Sequence, residues 1–322
     1  MSTPEMIKRM GYPVEAHVVT TEDGYLLTLH RIPGGKGSLP VLLQHAFLCT
    51  SADWIMLGKG KALAYLLADQ GYDVWLGNFR GNTYSRAHIS LSPSESKFWD
   101  FSYNKIGIYD LPAMITFITN MTSQPLHTYI GHSMGTTTFY VMASKRPEIT
   151  KMVKMMISLA PAAFIKSNIK NPFTYTAPFW REIQSLLPVI LSHDPAGSST
   201  KTLIHYLQAL QTNTFRQFDY GPIRNLLMYN SAEPPDYNLT NITVPIALFY
   251  GVNDWIIDVS GVEKLSRLLP NVVDMYKVPW SKFNHLDFVW AKDAPILVYK
   301  RILELMKRKD SNSVIDNIID TR

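Results

Sequence analysis

The chain has 322 residues, 46% of them hydrophobic and 12% aromatic, enough to bury a sizeable core and to exclude disorder as its main state. A single cysteine, Cys49, excludes a disulfide scaffold, and the lack of a short period excludes coiled coils and solenoids. Basic residues outnumber acidic ones by 31 to 26, but only Lys307, Arg308 and Lys309 cluster, so no nucleic-acid footprint is expected.

In chain order, His17 to Thr20 and Tyr25 to His30 alternate around Glu22-Asp23-Gly24 and predict an antiparallel hairpin. Pro40 to His45 is an apolar run of the buried-strand kind, followed by a helix over Lys59 to Gln70 and a strand over Tyr72 to Gly77. Asp110 to Thr119 has helical spacing, and Leu126 to Ile130 reads as a strand stopped by Gly131. Helix then follows over Thr136 to Lys145 and strand over Val153 to Leu159. After an interruption the alternation resumes with strand Pro245 to Tyr250, helix Val262 to Leu269, strand Val273 to Val278 and helix Ala294 to Lys307. This order predicts an α/β protein with a mostly parallel sheet and helices on both faces.

The interruption, rich in Phe, Trp, Tyr, Leu and Pro, reads as an inserted helical cap. The chain thus divides into a core over 1–161, a cap over 162–232 and a second core part over 233–322. Phe173, Tyr175, Phe179, Trp180, Leu186, Leu187 and Leu191 of the cap would suit an apolar acyl-chain wall. The longest stretch free of Asp, Glu, Lys and Arg runs from Leu111 to Ser144. Pro112, Asn120, Gln124, Pro125 and His127 break it, so it reads as interior and no transmembrane segment is expected. Met1 to Gly11 carries no apolar signal-peptide core. Asn120, Asn238 and Asn241 each open an N-glycosylation acceptor triplet.

Gly131-His132-Ser133-Met134-Gly135 lies between a predicted strand and a predicted helix, the setting of a nucleophile elbow. Such a bend exposes a serine hydroxyl at a helix N-terminus, where free N–H groups favour developing negative charge. Serine is a weak nucleophile at neutral pH, so it needs a base and a group to orient that base. Downstream, Asp254 follows the strand ending at Tyr250, with Asp258 as competitor. His285 lies between the strand ending at Val278 and the last helix, whereas His193 and His205 fall within the cap. Ser133, Asp254 and His285 are therefore the expected nucleophile, acid and base. The oxyanion donors expected are the backbone N–H groups of Met134 and of Phe47, the latter beyond strand Pro40 to His45. No metal-ligand spacing stands out among the histidines and Cys49, and no cofactor is expected. Cys49 itself reads as a small buried hydrophobe.

The sequence resembles the acid lipases of the α/β-hydrolase superfamily, which include gastric and lysosomal acid lipases and insect relatives. The likeness rests on Thr21-Glu22-Asp23-Gly24-Tyr25 with His30-Arg31-Ile32-Pro33, on Gly71 to Asn78, on Arg80-Gly81-Asn82, on Gly131 to Gly135 and on Asn284 to Phe288. It implies an α/β-hydrolase fold and a Ser133–Asp254–His285 charge relay that hydrolyses neutral lipid esters, triacylglycerol or sterol ester, at a lipid–water interface. It also implies a secreted or lysosomal monomer. The chain departs from the family in two ways. The cap is shorter, rejoining at Ser192 to Gly197, and His45-Ala46 replaces His-Gly at the oxyanion loop. A left-handed backbone at Ala46 would cost about 1–2 kcal/mol and displace the Phe47 donor. A short-chain or specialised carboxylesterase, and a catalytically weak lipid-binding relative, stay open as alternatives at this level.

Overall fold

Alternating and continuous apolar runs form different parts of one sheet. In this computed structural model, which describes residues 1–165, 190 and 192–308, β1 (Glu15–Thr20) alternates exposed and covered residues and pairs antiparallel with β2 (Tyr25–Ile32). The turn between them is closed by Gly24 N–H donating to Thr21 O, with Gly24 at φ +91°. The short strand β5 (Ala87–His88) also pairs antiparallel with β2. By contrast β3 (Pro40–Gln44), β4 (Asp73–Gly77), β6 (Thr128–His132) and β7 (Met156–Leu159) are buried at every position. That is the expectation for parallel strands covered on both faces. With β8 (Ile246–Tyr250) and β9 (Val272–Lys277) they complete an open nine-stranded sheet in the order β1-β2-β4-β3-β6-β7-β8-β9. The pairs from β4 through β3 to β9 are all parallel, so their carboxyl ends share one edge.

Several boundaries differ from the sequence expectation. Gly131 does not stop β6; it lies inside the strand, paired with Gln44 of β3 and Ser158 of β7, and the strand runs to His132. The absent side chain at Gly131 serves the next turn rather than breaking the strand. The elbow helix starts at Met134, ahead of the apolar spacing that suggested Thr136. The helix expected from Lys59 covers only Leu63–Asp69, because Gly58 and Gly60, both at φ +78°, turn the chain first. The closing helix opens with a π-helical turn at Pro295–Tyr299 and continues to 308. An N-terminal helix, Thr3–Arg9, was not expected, although Ser2 and Glu5 spell its capping box. Within 162–232 the described residues form helices Thr200–Thr212 and Pro222–Tyr229, while Ala162, Ala163 and Phe164 pack into the main core. The seven aromatic and leucine positions expected to line an acyl wall lie outside the described residues, as does Lys309. No helix among the described residues is long and apolar enough to cross a membrane.

One polar tie fixes the hairpin to this sheet. Arg80, fully buried, donates bidentately to Asp23 in the hairpin turn at 2.7 Å and to Asp110 at 2.6 Å. Its guanidinium also stacks 3.9 Å over the Tyr25 ring. Burial pushes the Asp110 carboxyl up to about 6 despite this partner, so the charged pair is held by geometry and costly to break.

Candidate active site

The bend after β6 is built from close backbone approaches. A β-carbon on Gly131 would lie 2.7 Å from the Gly135 carbonyl carbon, and one on Gly135 would lie 2.4 Å from Gln44 O. Both glycines are therefore required, one for the bend to close on itself and one for it to seat on the end of β3. Ser133 between them has φ 51° and ψ −111°, a conformation costing an L-residue on the order of 1–3 kcal/mol. Its N–H donates to Leu159 O at 3.0 Å, and its carbonyl accepts from Thr136 N–H at 2.8 Å, so flanking hydrogen bonds hold the strain. The half-buried Ser133 side chain thus stands at the start of helix Met134–Lys145.

The loop after β3 lies against this bend, since the β-carbon position of Gly135 is also 3.2 Å from His45 O. Neither the Phe47 nor the Met134 N–H donates to a backbone carbonyl among the described residues. His45 anchors the loop. It is buried, its Nε2 accepts from Phe79 N–H at 3.1 Å, and its Nδ1–H donates to Ala46 O at 2.7 Å. Burial holds its pKa down at about 4, which favours this neutral tautomer. Ala46 is not left-handed; Leu48 is, at φ 65°. The β-carbon that replaces the family's glycine therefore carries no left-handed strain, and the cost expected at Ala46 does not arise. Across the loop, the Phe47 ring meets Tyr206 of helix Thr200–Thr212 edge-on at 5.9 Å, and Tyr206 hydroxyl donates to Thr137 of the elbow helix.

At the other side of the bend, the loops after β8 and β9 meet. His285 Nδ1 donates to Asp254 Oδ2 at 2.9 Å, and both side chains are buried. Asp254 Oδ1 accepts from the N–H groups of Ile256 and Ile257 at 2.9 and 2.8 Å, which leaves Oδ2 for the ring. Charge-assisted bonds of this kind contribute about 1.5–3 kcal/mol each. Gly251 permits the encounter, since a β-carbon there would sit 2.4 Å from Phe283 O. The competitor Asp258 instead caps helix Val259–Leu268 through Ser260 N–H. His205 is buried elsewhere, stacked on Tyr103 at 3.8 Å and bonded to Ser102 and Arg216 O.

His285 and Asp254 are brought together; among the described residues the Ser133 hydroxyl forms no hydrogen bond to His285, and the bend and the His285 loop are joined through the neighbouring residue. His132 Nε2–H donates to His285 O at 2.8 Å, with ring centroids 5.1 Å apart. Burial and the neighbouring His285 ring hold the His132 pKa down to about 3, so this donor stays neutral. Asn284 and Asp287 close the same loop: Asn284 N–H donates to Asp287 Oδ2 at 2.8 Å and Leu286 N–H to Asn284 Oδ1 at 3.0 Å. Sequence reasoning did not assign these positioning roles, though Asn284 and Asp287 flank the histidine in the motif that carried the resemblance. It also missed a group formed only by folding, Cys49, Asp53 and Asp194, whose ligand-type atoms all lie within 4.8 Å of one another.

Known proteins share this architecture and much of the sequence. A family described as the partial alpha/beta-hydrolase lipase region matches residues 3–58, and the alpha/beta hydrolase fold matches residues 40–291. The chain is 39% identical to Lipase 1 of Drosophila melanogaster over 357 aligned positions, covering 97% of this chain and 81% of that protein. It is 37% identical to human gastric triacylglycerol lipase (95% and 91% covered) and 36% identical to human lysosomal acid lipase/cholesteryl ester hydrolase (96% and 91%). Alignments longer than this 322-residue chain mean that the relatives carry segments it lacks. In fold it is similar to an esterase from Thermogutta terrifontis, with a TM-score of 0.59 at 18% identity over 92% of this chain and 99% of that one. A Pyrococcus furiosus esterase gives 0.56 at 17% identity, over 96% and 94%. With an elbow, a paired acid and histidine at the shared sheet edge, and this likeness along nearly its whole length, the chain belongs to the acid lipases of the α/β-hydrolase family and is a carboxylic ester hydrolase.

Proposed function

We propose that the protein hydrolyses esters of neutral lipids, triacylglycerol or sterol ester, through an acyl-enzyme formed on Ser133. The observation that carries this reading is the His285 Nδ1–Asp254 Oδ2 hydrogen bond in the loop that also touches the residue before Ser133. Ser133 Oγ attacks the acyl carbonyl while His285 Nε2 takes its proton, and Asp254 holds the ring and stabilises its charged form. The carbonyl oxygen becomes an oxyanion facing the N–H groups of Phe47 and Met134. Each such donor contributes about 10²–10³ in kcat. His285 then protonates the leaving alkoxide, and water, deprotonated by the same ring, releases the fatty acid. This sequence of steps calls for no cofactor or metal.

The names of the relatives, triacylglycerol lipase and cholesteryl ester hydrolase, support the substrate class, with a lipid–water interface as the working partner of a monomer. They also support a secreted or lysosomal setting. In keeping with that setting, Asn120, Asn238 and Asn241 are all exposed, open to glycan attachment. The cap over 162–232 supplies the acyl-chain wall in this reading, with Tyr206 as its contact on the oxyanion loop. The missing segments relative to the relatives favour one rival, a carboxylesterase for short acyl chains. Turnover of an ester series from short to long chains, with Ser133→Ala as control and fluorophosphonate labelling of the parent, tests all of this. Preference for long chains with labelling at Ser133 is expected; labelling with short-chain preference selects the rival, and no labelling removes the hydrolytic reading.

A further inference from the structure

Behind the oxyanion loop lies a pair of carboxyls that the catalytic steps do not use. Asp53 is in the short 3-10 helix Ser51–Trp54 that leaves the loop, and Asp194 is in the segment where the chain returns from the cap. Asp53 is 2% exposed, and no N–H or hydroxyl among the described residues donates to any of the four carboxyl oxygens of the two residues. Together with Cys49 Sγ their oxygens lie within 4.8 Å of one another. Two ionised carboxylates in that arrangement forfeit hydration and repel each other, a state a buried site does not sustain.

The groups facing the pair do not supply the missing charge. Cys49 is a buried thiol with its pKa pushed up by burial and by the two aspartates. The Trp290 indole N–H faces Asp53 without reaching hydrogen-bond geometry, and Tyr299 hydroxyl is committed to Phe288 O. Burial and the nearby amino terminus push the pKa of His193, next to Asp194 in the chain, below its ordinary value. No cation among the described residues faces the pair.

The segment carrying Asp194 is docked on the oxyanion loop. Ala196 N–H donates to Leu48 O at 2.7 Å, at the one residue of the loop with a left-handed backbone. Ala196 O in turn accepts from Thr83 Oγ1 at 3.2 Å and Arg86 Nη2 at 3.1 Å. We propose that Asp53 and Asp194 share one proton and act as a positioning pair, clamping the returning cap segment against residues 46–50 so that Phe47 N–H stays aimed at the oxyanion. The proposal rests on the hydrolase reading above. It makes the clamp depend on pH. Burial pushes both carboxyls above the ordinary carboxylate range, and for Asp194 the neighbouring Asp53 charge adds to it, so the shared proton is held to higher pH than a lone carboxyl would hold it. A carboxyl whose folded pKa is raised favours the folded, clamped form at low pH and loses that contribution as pH rises through the folded value.

The test is the pH profile of kcat on a soluble short ester from acid through the alkaline range, above the ordinary carboxylate range. Without the clamp, the catalytic steps give no reason for kcat to fall on the alkaline side of this range. The clamp predicts a reversible alkaline fall in kcat of up to about 10²-fold, the scale of one oxyanion donor, with KM little changed and circular dichroism intact. Asp194→Asn keeps a donor without a titrating proton, so it retains acid-side kcat and loses the alkaline fall; Asp53→Asn does the same. Infrared difference spectra of the parent should show a protonated carboxyl band disappearing over that range, a readout that needs no variant. An unchanged profile in both variants, or no such band, overturns the clamp. So does a divalent metal found in stoichiometric amount in the purified parent and lost in Asp194→Asn, which would put a cation where the proton is placed. Absent fluorophosphonate labelling of the parent at the acid end instead marks failure of the hydrolase reading itself.

Discussion

The elbow helix and the outer helix Pro222–Tyr229 are built by opposite rules. In Met134–Lys145 every residue from Met134 to Ala143 is buried, and both glycines of its bend touch backbone they could not approach with a β-carbon. In Pro222–Tyr229 only Asn225 is buried, held by Asp219 and Ala232 O, while Ile223 and Leu227 are 80% and 83% exposed. Reaction geometry is thus set from inside the core, where small changes propagate, and the outer surface is free to vary with what it meets.

Substitutions should separate these two regimes by size of effect. Asp254→Asn is expected to lower kcat by about 10⁴-fold with the fold intact, because the amide no longer holds the reactive tautomer of His285. A mild effect, with the large one moved to Asp258→Asn, would reassign the acid and break the comparison at its chemical end. Arg80→Ala strands Asp110 in the core and should cost about 3–5 kcal/mol in urea unfolding, far from the reacting atoms. Gly135→Ala forces a β-carbon onto the Gln44 carbonyl and should cost about 1–3 kcal/mol while also depressing kcat, since the oxyanion strand must shift. Equal stability of that variant and the parent would show that the bend has slack. Leu227→Ser, at the other extreme, should change stability by less than about 0.5 kcal/mol and leave soluble-ester turnover untouched. A larger loss would mean that this helix is part of the packed core after all.

The parallel strands were legible because burial on both faces writes itself as unbroken apolar runs, as in β3, β4 and β7. The elbow was legible because only glycine tolerates its two contacts, and Asp254 and His285 because the sheet's parallel order sends each following loop to the same edge. Less was visible where the signal is not periodic. Gly131 reads as a strand breaker in a linear sequence, whereas it lies within β6 so that the Gly135 backbone can cross it. Asp258 and Asp254 look equivalent by spacing. What separates them is that one spends its carboxylate on its own helix and the other, fixed by two amides, faces a ring arriving from another loop.

By itself the sequence determined the layered class, the bend at Ser133 and the placing of Asp254 and His285 in loops at one sheet edge, since these follow from local backbone limits and from apolar periodicity. Only the tertiary structure decided that His132 braces the His285 loop, that Leu48 rather than Ala46 takes the left-handed turn, and that Asp53 and Asp194 meet behind the oxyanion strand. Such encounters join residues far apart in the chain, and their energies arise from shared burial, which no single segment carries in its own composition.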